Sequence, residues 1–272
     1  MKTLLKVVLF VSLVFVTFGA RASEFALKVM IYNDHDAYFY HGRAYRTGWL
    51  LFSEAAKRAN IILKLKEDAW LRSTAFMKEG KVDVVFGALY NNERTKWAVF
   101  SAPVAIDNVY VYATKPHIGE KQFSVSSVGV VKGSLHEKFA QQLGFGHVYS
   151  SLHNSTIFRM LEAARLDFVI YSETIMSSYC RDKVSSRSLL KTCMFQTGQP
   201  LATLPVHAIF KKNMVNDTRY ISLNSQIVAL YQEGWIKTLF QQNQYTDKDY
   251  DGFVWSLKRW QQNKSPLLED NK

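Results

Sequence analysis

Leu71–Val104, LRSTAFMKEGKVDVVFGALYNNERTKWAVFSAPV, carries more structural information than any other segment of the chain. Its first part reads as a helix that stops at Gly80, because a glycine just past a periodic apolar segment is a helix C-terminal signal. Val82–Phe86 then has the nearly continuous apolar character of a strand covered on both faces. A polar turn follows, with Arg94 at its tip. The order predicts a helix and a buried strand that deliver a charged side chain beyond the strand's carboxyl end.

Strands and helices alternate along the rest of the chain. The predicted strands are Ala26–Tyr32, Ile61–Leu65, Val82–Phe86, Asn108–Ala113, Val128–Val131, His147–Tyr149, Asp167–Tyr171 and His207–Lys211. The predicted helices are Trp49–Ala59, Leu71–Lys78, His136–Leu143, Ser155–Ala164 and Ile221–Gln241, the last interrupted near Gly234. Strands separated by helices of this length predict parallel sheets in α/β layers.

The two halves of the chain resemble each other. Gly80-Lys81-Val82-Asp83-Val84-Val85 has a counterpart in Ala164-Arg165-Leu166-Asp167-Phe168-Val169-Ile170, and each segment follows a helix and opens a buried strand. This repetition predicts two similar lobes. Because α/β sheets bind ligands at the carboxyl ends of their strands, a ligand cleft is expected between the lobes.

The N-terminus has the three parts of a secretory signal peptide. A short basic region precedes the apolar run Val7–Phe18, and Ala20-Arg21-Ala22 is an A-x-A cleavage site. We therefore expect cleavage after Ala22, no lipid attachment and a periplasmic location. The formal net charge falls from +11 to +8 without this segment. The basic residues are scattered and no nucleic-acid-binding motif is present, so nucleic acid is not an expected partner.

Cys180 and Cys193 are the two cysteines of the chain. In an oxidising compartment they are expected to pair as a structural disulfide across a short loop. A metal site would need more ligands at tighter spacing, and neither cysteine has a histidine within ligand spacing, so we expect no metal.

Several motifs resemble, in order and spacing, those of the family-3 periplasmic solute-binding proteins, the substrate-binding components of amino-acid ABC transporters. In that family "G-K-x-D", a strand, "T-x-E-R" and "F-S-x-P-Y" follow one another, and the similar residues here are Gly80-Lys81-Val82-Asp83, Asn91-Asn92-Glu93-Arg94 and Phe100-Ser101-Ala102-Pro103. Further similar segments are Gly48-Trp49, Val128-Gly129-Val130 with Lys132-Gly133-Ser134, and Glu233-Gly234-Trp235. The resemblance covers nearly all of the chain beyond residue 22.

The resemblance implies an α/β, two-lobed periplasmic-binding-protein fold of type 2. Two mixed or parallel sheets flanked by helices would be joined by a hinge of two crossovers. Residues 23–107 and 206–272 would form lobe 1, residues 108–205 lobe 2, and residues 1–22 the signal peptide. Ligand contacts from both lobes would stabilise a closed form.

The resemblance also implies a site in which Arg94 binds a ligand carboxylate. A guanidinium group matches a carboxylate bidentately, as a lysine cannot; the alternative is a surface arginine in a turn. Ser134-Leu135-His136-Glu137 is a capping box, so Ser134 is expected at a helix N-terminus, where an anion is favoured. The resemblance implies that this helix N-terminus completes the carboxylate site from the lobe opposite Arg94. Ser134 could also serve only as a cap. The full predicted ligand-binding set is Asp36, Tyr38, Trp70, Gly87, Leu89, Arg94, Lys132, Ser134, Ser172 and Glu173.

The chain departs from the family pattern where that pattern would identify the ligand. The family threonine is Asn91, the polar residue two places earlier is Leu89, and the acidic residue after "G-F" is Leu50. The second-lobe aspartate that binds a ligand ammonium is Ser172, with Glu173 beside it. Glu173 would replace it if the strand end turned it inward; the alternative is that the ammonium is not recognised at all.

Together these features predict a monomeric, non-enzymatic protein that binds a small carboxylate-bearing solute, an amino acid, for delivery to an inner-membrane ABC permease. No hydrolase, metalloprotease or nucleotide-binding motif is present, and no cofactor is expected. Two alternatives stay open. One is an exported enzyme resembling cyclohexadienyl dehydratases, with Glu173 as general acid, and the other is a sensory module that presents its ligand to a receptor.

Overall fold

The computed structural model describes residues 25–113, 115, 120–185 and 193–263. The predicted signal peptide lies outside these residues. The strands are β1 Ala26–Tyr32, β2 Ile62–Asp68, β3 Val84–Leu89, β4 Ala98–Phe100, β5 Ala105–Ala113, β6 Ser127–Val131, β7 His147–Ser151, β8 Phe168–Ser172, β9 Phe195–Gln196 and β10 Ala202–Lys211. The helices are α1 His35–His41, α2 Arg43–Arg58, α3 Trp70–Lys78, α4 Leu135–Gln142, α5 Asn154–Glu162, α6 Glu173–Ser185, α7 Thr218–Gln232, α8 Trp235–Gln242 and α9 Asp247–Asn263.

The described strands form a sheet in the order β2-β1-β3-β10-β5-β8-β6-β7, with β4 and β9 attached to β10 and β5. β2, β1 and β3 are parallel to one another, and so are β8, β6 and β7. β10 and β5 run antiparallel to their neighbours between these two groups. The two predicted sheets are therefore the two halves of one continuous sheet.

The sheet is continuous because β5 and β10 are long enough to serve both halves. The first part of β5 pairs with β10 through Ala105–Val109, and its second part pairs with β8 through Val109–Ala113. β10 likewise pairs with β5 through Ala202–Val206 and continues alongside β3. These two strands are the places where the chain crosses from one half to the other.

Helices cover the sheet with apolar side chains. The strand predicted from Val82–Phe86 is β3, and Val84 and Phe86 are fully buried in it. α2 places Leu51 and Phe52 against this core, also fully buried. Full burial of one such side chain contributes roughly 1.5–3 kcal/mol relative to exposure. Alternating α/β layers are thus stabilised as the sequence predicts.

Three helices lie where the sequence predicted none. α1 occupies His35–His41, and α6 and α9 are segments in which polar and apolar residues are mixed. α2 also begins six residues before its predicted start at Trp49. The predicted interruption near Gly234 is confirmed, because α7 ends at Gln232 and α8 begins at Trp235. Within the described ranges, no helix is both long enough and apolar enough to span a bilayer.

Candidate functional site

A cleft lies between the two halves of the sheet and consists of two adjoining cavities. One is lined by Arg94 and is called the Arg94 cavity. The other is lined by Asp107 and is called the Asp107 cavity. Both cavities are lined by Tyr32, Gly87, Leu89, His136 and Ile175. The shared walls make the two cavities parts of one cleft.

Arg94 is buried in this cleft. Its Nη1 donates to the carbonyl oxygen of Leu89 at 2.6 Å, and its Cζ lies 4.4 Å from the centre of the Trp70 ring. Among the described residues no carboxylate lies within ion-pair distance of it. Burial lowers the pKa of Arg94 to about 10, so that it stays protonated at neutral pH. A guanidinium group has five N–H donors, and one backbone acceptor leaves most of them available to a ligand anion.

The local sequence aims Arg94 inward. Residues Asn92–Lys96 form a 3₁₀ turn, and the Asn91 side chain caps it by accepting from the Glu93 N–H at 3.0 Å. The asparagine found in place of the family threonine therefore performs a turn-capping role. Its Oδ1 also accepts from Lys138 Nζ at 3.4 Å, a contact that reaches α4 in the other half.

Ser134 lies at the N-terminus of α4 and lines the Arg94 cavity. Its Oγ accepts from the Glu137 N–H at 3.4 Å and donates to the carbonyl oxygen of Val131 at 2.7 Å. The Glu137 carboxylate in turn accepts from the Gly133 N–H at 2.7 Å. Ser134 is thus confirmed as the cap of α4, although Glu137 accepts from the N–H of Gly133 and not from that of Ser134, as a capping box would have it. Ser134 therefore presents the positive end of α4 to the cavity that contains Arg94.

His136 is a cleft residue that the sequence did not identify. It is buried, lines both cavities and has neither ring nitrogen hydrogen-bonded within the described structure. Burial and the nearby Arg94 lower its pKa to about 3, so the ring is neutral at pH 7. A neutral imidazole has one donor and one acceptor nitrogen. Both are available to a ligand. The only sequence signal was its position two residues after the cap Ser134.

Aromatic side chains form one wall of the cleft. Tyr32 stacks on Trp70 with ring centres 6.0 Å apart, and Tyr38 lies edge-on to Tyr32 at 5.6 Å. Trp70 Nε1 also donates across the cleft to the carbonyl oxygen of Gly133 at 3.3 Å. Gly87, inside β3, has φ +84°, and a β-carbon there would lie 2.9 Å from the Tyr32 ring. This position therefore requires glycine.

Asp107 is the second charged group of the cleft, and the sequence analysis did not include it. It lies on β5 and is 6% exposed. Burial raises its pKa to about 7, while the nearby hydroxyl groups of Ser172 and Thr174 favour the ionised form. A charged residue inside an apolar strand was the available signal, but a lone aspartate belongs to no motif.

The structure brings together seven of the ten predicted ligand-binding residues. Those that line the cleft are Tyr38, Trp70, Gly87, Leu89, Arg94, Ser134 and Ser172. Asp36 is exposed on α1, and Lys132 is exposed before the cap of α4; neither lines a cavity. Their ligand roles therefore have no support in the geometry.

Glu173 also lies outside the lining of both cavities. Its carboxylate pairs with Arg43 at 3.3 Å and accepts from Asn108 Nδ2 at 3.2 Å. The first turn of α6 points the Glu173 side chain toward α2 and not into the cleft. Glu173 therefore does not bring an acidic group into the cleft in place of the aspartate that the resembling family has at the position of Ser172. Across the described residues, no group of three or more His, Cys, Asp or Glu side chains is placed to hold a metal ion.

Comparison with known proteins supplies an independent view of the fold. No protein-family model matches the chain, and no curated protein sequence does either. Among solved structures, the arginine-, lysine-, histidine-binding protein ArtJ from Geobacillus stearothermophilus is 14% identical, with a TM-score of 0.67 over 84% of this chain and 99% of that one.

Two further solved structures are similar over most of the chain. The amino acid ABC transporter substrate-binding protein AbpA from Streptococcus pneumoniae, bound to L-arginine, is 17% identical, with a TM-score of 0.64 over 81% of this chain and 95% of that one. A histidine kinase sensor domain with similarity to periplasmic binding proteins is 14% identical, with a TM-score of 0.66 over 80% and 96%. These similarities show that the chain has the fold of the periplasmic binding proteins, as its sequence motifs implied.

Proposed function

We propose that this protein binds a small carboxylate-bearing solute, an amino acid, in the cleft between its two halves and delivers it to an inner-membrane ABC permease. The observation that carries the proposal is the buried Arg94 guanidinium group, which has no described carboxylate partner and lies in the same cavity as Ser134 and the start of α4. A ligand carboxylate would satisfy both positive groups at once.

The similar solved structures support this proposal at the level of the fold. ArtJ and AbpA are named as amino-acid-binding proteins, and AbpA belongs to an ABC transporter. A sensory role is the second candidate, favoured by the similarity to the histidine kinase sensor domain. In both cases the cleft captures the same ligand class. The partner differs, and a gene for a permease or for a sensor kinase beside this one would distinguish them.

The dehydratase alternative loses the residue on which it rested. Glu173 was its general acid, and the carboxylate is engaged by Arg43 and Asn108 outside the lining of the cleft. We therefore propose a binding protein without catalytic activity. The signal-like N-terminus supports export to the periplasm, and we propose that the mature chain is monomeric.

Calorimetry tests the carboxylate site directly. A thermal-shift screen of the twenty L-amino acids identifies the tightest binder, because a ligand that binds the native state raises its apparent stability. We expect Arg94→Ala to weaken the binding of that amino acid by about 2–5 kcal/mol, since the buried ligand carboxylate is left poorly paired. This loss is roughly thirty-fold to several-thousand-fold in Kd. Arg94→Lys should recover little of the loss, because a point charge cannot reproduce the guanidinium fork.

Two variants complete this experiment. Ser134→Ala should cost less, about 1 kcal/mol, because the backbone N–H groups of α4 remain. Arg165→Ala removes an exposed arginine that lines neither cavity and should leave Kd unchanged. Parent-like binding by Arg94→Ala would place the ligand elsewhere and overturn the proposal.

A further inference from the structure

The cleft contains a buried acid, Asp107, that has no cationic partner among the described residues. Asp107 is 6% exposed, and its Oδ1 accepts from the Asn108 N–H at 2.9 Å. Among the described residues, no lysine, arginine or histidine nitrogen lies within ion-pair distance of its carboxylate. The charged group that acts on it most strongly is another acid, Glu173. A buried carboxylate without a cationic partner is unfavourable, so this group is poised to gain from a cation that enters the cleft.

Asp107 lies where both halves of the molecule meet. It belongs to β5, one of the two crossing strands, and its neighbours Ser172 and Thr174 come from the end of β8 and the start of α6. All three residues line the Asp107 cavity. A cation bound there would therefore contact a carboxylate on the crossing strand and hydroxyl groups of the second half.

Arg94 and Asp107 give the cleft two oppositely charged ends. The cavities that they line share five wall residues, among them Tyr32 and His136. Tyr32 lies close enough to both groups for each charge to act on its hydroxyl. His136 is neutral at pH 7, and burial raises the pKa of Tyr32 to about 12. These two shared wall residues are therefore uncharged at neutral pH. A zwitterion with its carboxylate at Arg94 and its cation toward Asp107 matches this polarity.

We propose that Asp107 binds the ammonium group of the ligand, so that the cleft selects α-amino acids over the corresponding acids without an amino group. Ser172, at the position where the resembling family has an acidic residue, then needs no charge, because the carboxylate comes from the crossing strand instead. This inference rests on the proposed function, since it takes the carboxylate to lie at Arg94.

A matched pair of ligands tests the proposal. The probes are the amino acid that binds most tightly among the twenty and the acid that lacks only its α-amino group; for L-phenylalanine the latter is 3-phenylpropanoate. In the parent protein we expect the amino acid to bind at least about 100-fold more tightly. Asp107→Asn should weaken the binding of the amino acid by a similar factor. The Kd of the acid without the amino group should stay within about threefold of its value for the parent protein. Asp251→Asn, the same change at an exposed position of α9, should alter neither.

The outcomes separate this inference from the proposed function. If Arg94→Ala weakens both probes but Asp107→Asn binds the amino acid as the parent does, the ammonium assignment is wrong and the carboxylate site stands. If Arg94→Ala weakens neither probe, or if none of the twenty amino acids binds, the proposed function fails. A loss of discrimination confined to Asp107→Asn supports the assignment.

A second measurement needs no variant and covers the case in which Asp107→Asn does not fold. Asp107 has a pKa of about 7, and a bound ammonium would lower it. The titratable and charged groups that face Asp107 from the surrounding elements are Tyr32, Tyr38, Tyr45, Tyr110, Tyr112, His136, Glu173 and Tyr245. Burial raises the pKa of each of these tyrosines, that of His136 is lowered to about 3, and Glu173 is paired with Arg43.

Asp107 is thus the cleft group that changes its protonation near pH 7. Calorimetry at pH 7 in buffers of different ionisation enthalpy should show release of about half a proton when the amino acid binds. The des-amino acid should release none. Equal proton release by the two probes would overturn the assignment.

Discussion

At the level of single residues, the cleft holds several groups whose burial is unfavourable as long as they have no partner. Arg94 is buried without a described carboxylate partner, Asp107 without a cation, and His136 with both ring nitrogens unpartnered in the described structure. Native proteins retain such groups at binding sites and offset them elsewhere in the fold. The unliganded protein should therefore be less stable than variants from which these groups are removed.

Asp107 makes the stability of the unliganded protein depend on pH. Its folded-state pKa of about 7 is above its ordinary value of 3.8, so the folded state binds the proton more tightly. The stabilisation of the folded state by this proton is fully present below pH 3.8 and is lost as the pH rises through 7. Asp107→Asn should therefore be more stable than the parent at pH 8, by on the order of 1–3 kcal/mol. Urea unfolding of both proteins at pH 4, 6 and 8 measures this difference, and a constant difference across the series would contradict it.

His136 should show the same trade between stability and binding as Asp107. His136→Leu replaces two unpartnered buried nitrogens with apolar atoms, which should raise the unfolding free energy of the unliganded protein by about 1–3 kcal/mol. The same change should weaken the amino acid selected by the screen by about tenfold, because the ligand loses one hydrogen-bonding partner. Thermal unfolding and calorimetry on one protein preparation check both parts. A variant that is more stable and binds equally well would show that His136 does not contact the ligand.

The residues of the site divided sharply in how well the sequence identified them. Arg94 and Ser134 stand in local motifs, a turn after a buried strand and a capping box, so their placement in one cavity follows from their neighbours in sequence. Asp107 and His136 reach the cleft through tertiary packing, and no motif or residue spacing in the sequence indicates this position. Glu173 was nominated from its neighbour Ser172, but the first turn of a helix directs adjacent side chains apart. The sequence thus predicted that Arg94 and Ser134 lie together, but it did not identify Asp107 and His136 as cleft residues.

At the level of secondary-structure elements, the sequence predicted the helices with a strongly apolar stripe and the strands with continuous apolar runs. It did not predict helices that lack such a pattern. β3 and α3 were recognised because Gly80 separates them and their patterns differ in period. α1 consists largely of aromatic residues with poor helix propensity, and packing of Tyr38 against Tyr32 and Tyr45 stabilises it instead. α6 and α9 lack a clear periodic stripe at their starts. Their helical state depends on neighbours distant in sequence.

The disulfide is the element-scale constraint that the sequence did predict. Cys180 of α6 is bonded to Cys193, with 5.4 Å between their Cα atoms, and this bond connects the helix to the segment that leads into β9. Replacing both cysteines by serine should lower the unfolding free energy by about 3 kcal/mol, because the unfolded chain regains the freedom of the closed loop. Ligand affinity should not change, since neither cysteine lines the cleft.

Thiol titration and urea unfolding check this prediction. The purified oxidised protein should yield no free thiol until it is reduced. Two titratable thiols in the unreduced native protein would show that the bond does not form in solution. Parent-like stability of the double serine variant would show that the bond constrains little.

At the scale of the whole molecule, the two halves are connected by β5 and β10 and also touch across the cleft. Asn154 of α5 donates to the Tyr38 hydroxyl group and, at 3.4 Å, to the Asp34 carboxylate. Trp70 donates to Gly133, and Lys138 donates to Asn91. Arg43 of the first half also pairs with Glu173 of the second half at 3.3 Å, and α1 lies against α6. A ligand would add a connection between Arg94 in one half and Ser134 in the other. We therefore propose that the halves are lobes that hinge at the crossing strands, with ligand favouring the closed arrangement.

Small-angle scattering tests this hinge. The screened amino acid at saturation should reduce the radius of gyration of the protein, because a ligand held by both lobes stabilises the closed form at the expense of the open one. Asn154→Ala removes contacts that favour closure without ligand, so its unliganded radius should equal or exceed that of the parent. With saturating ligand both proteins should converge to the same profile, and the variant should bind about threefold to tenfold more weakly, since a smaller competent fraction lowers apparent affinity. Profiles that do not change with ligand would show a rigid molecule, and β5 and β10 would then serve as the spine of one sheet and not as a hinge.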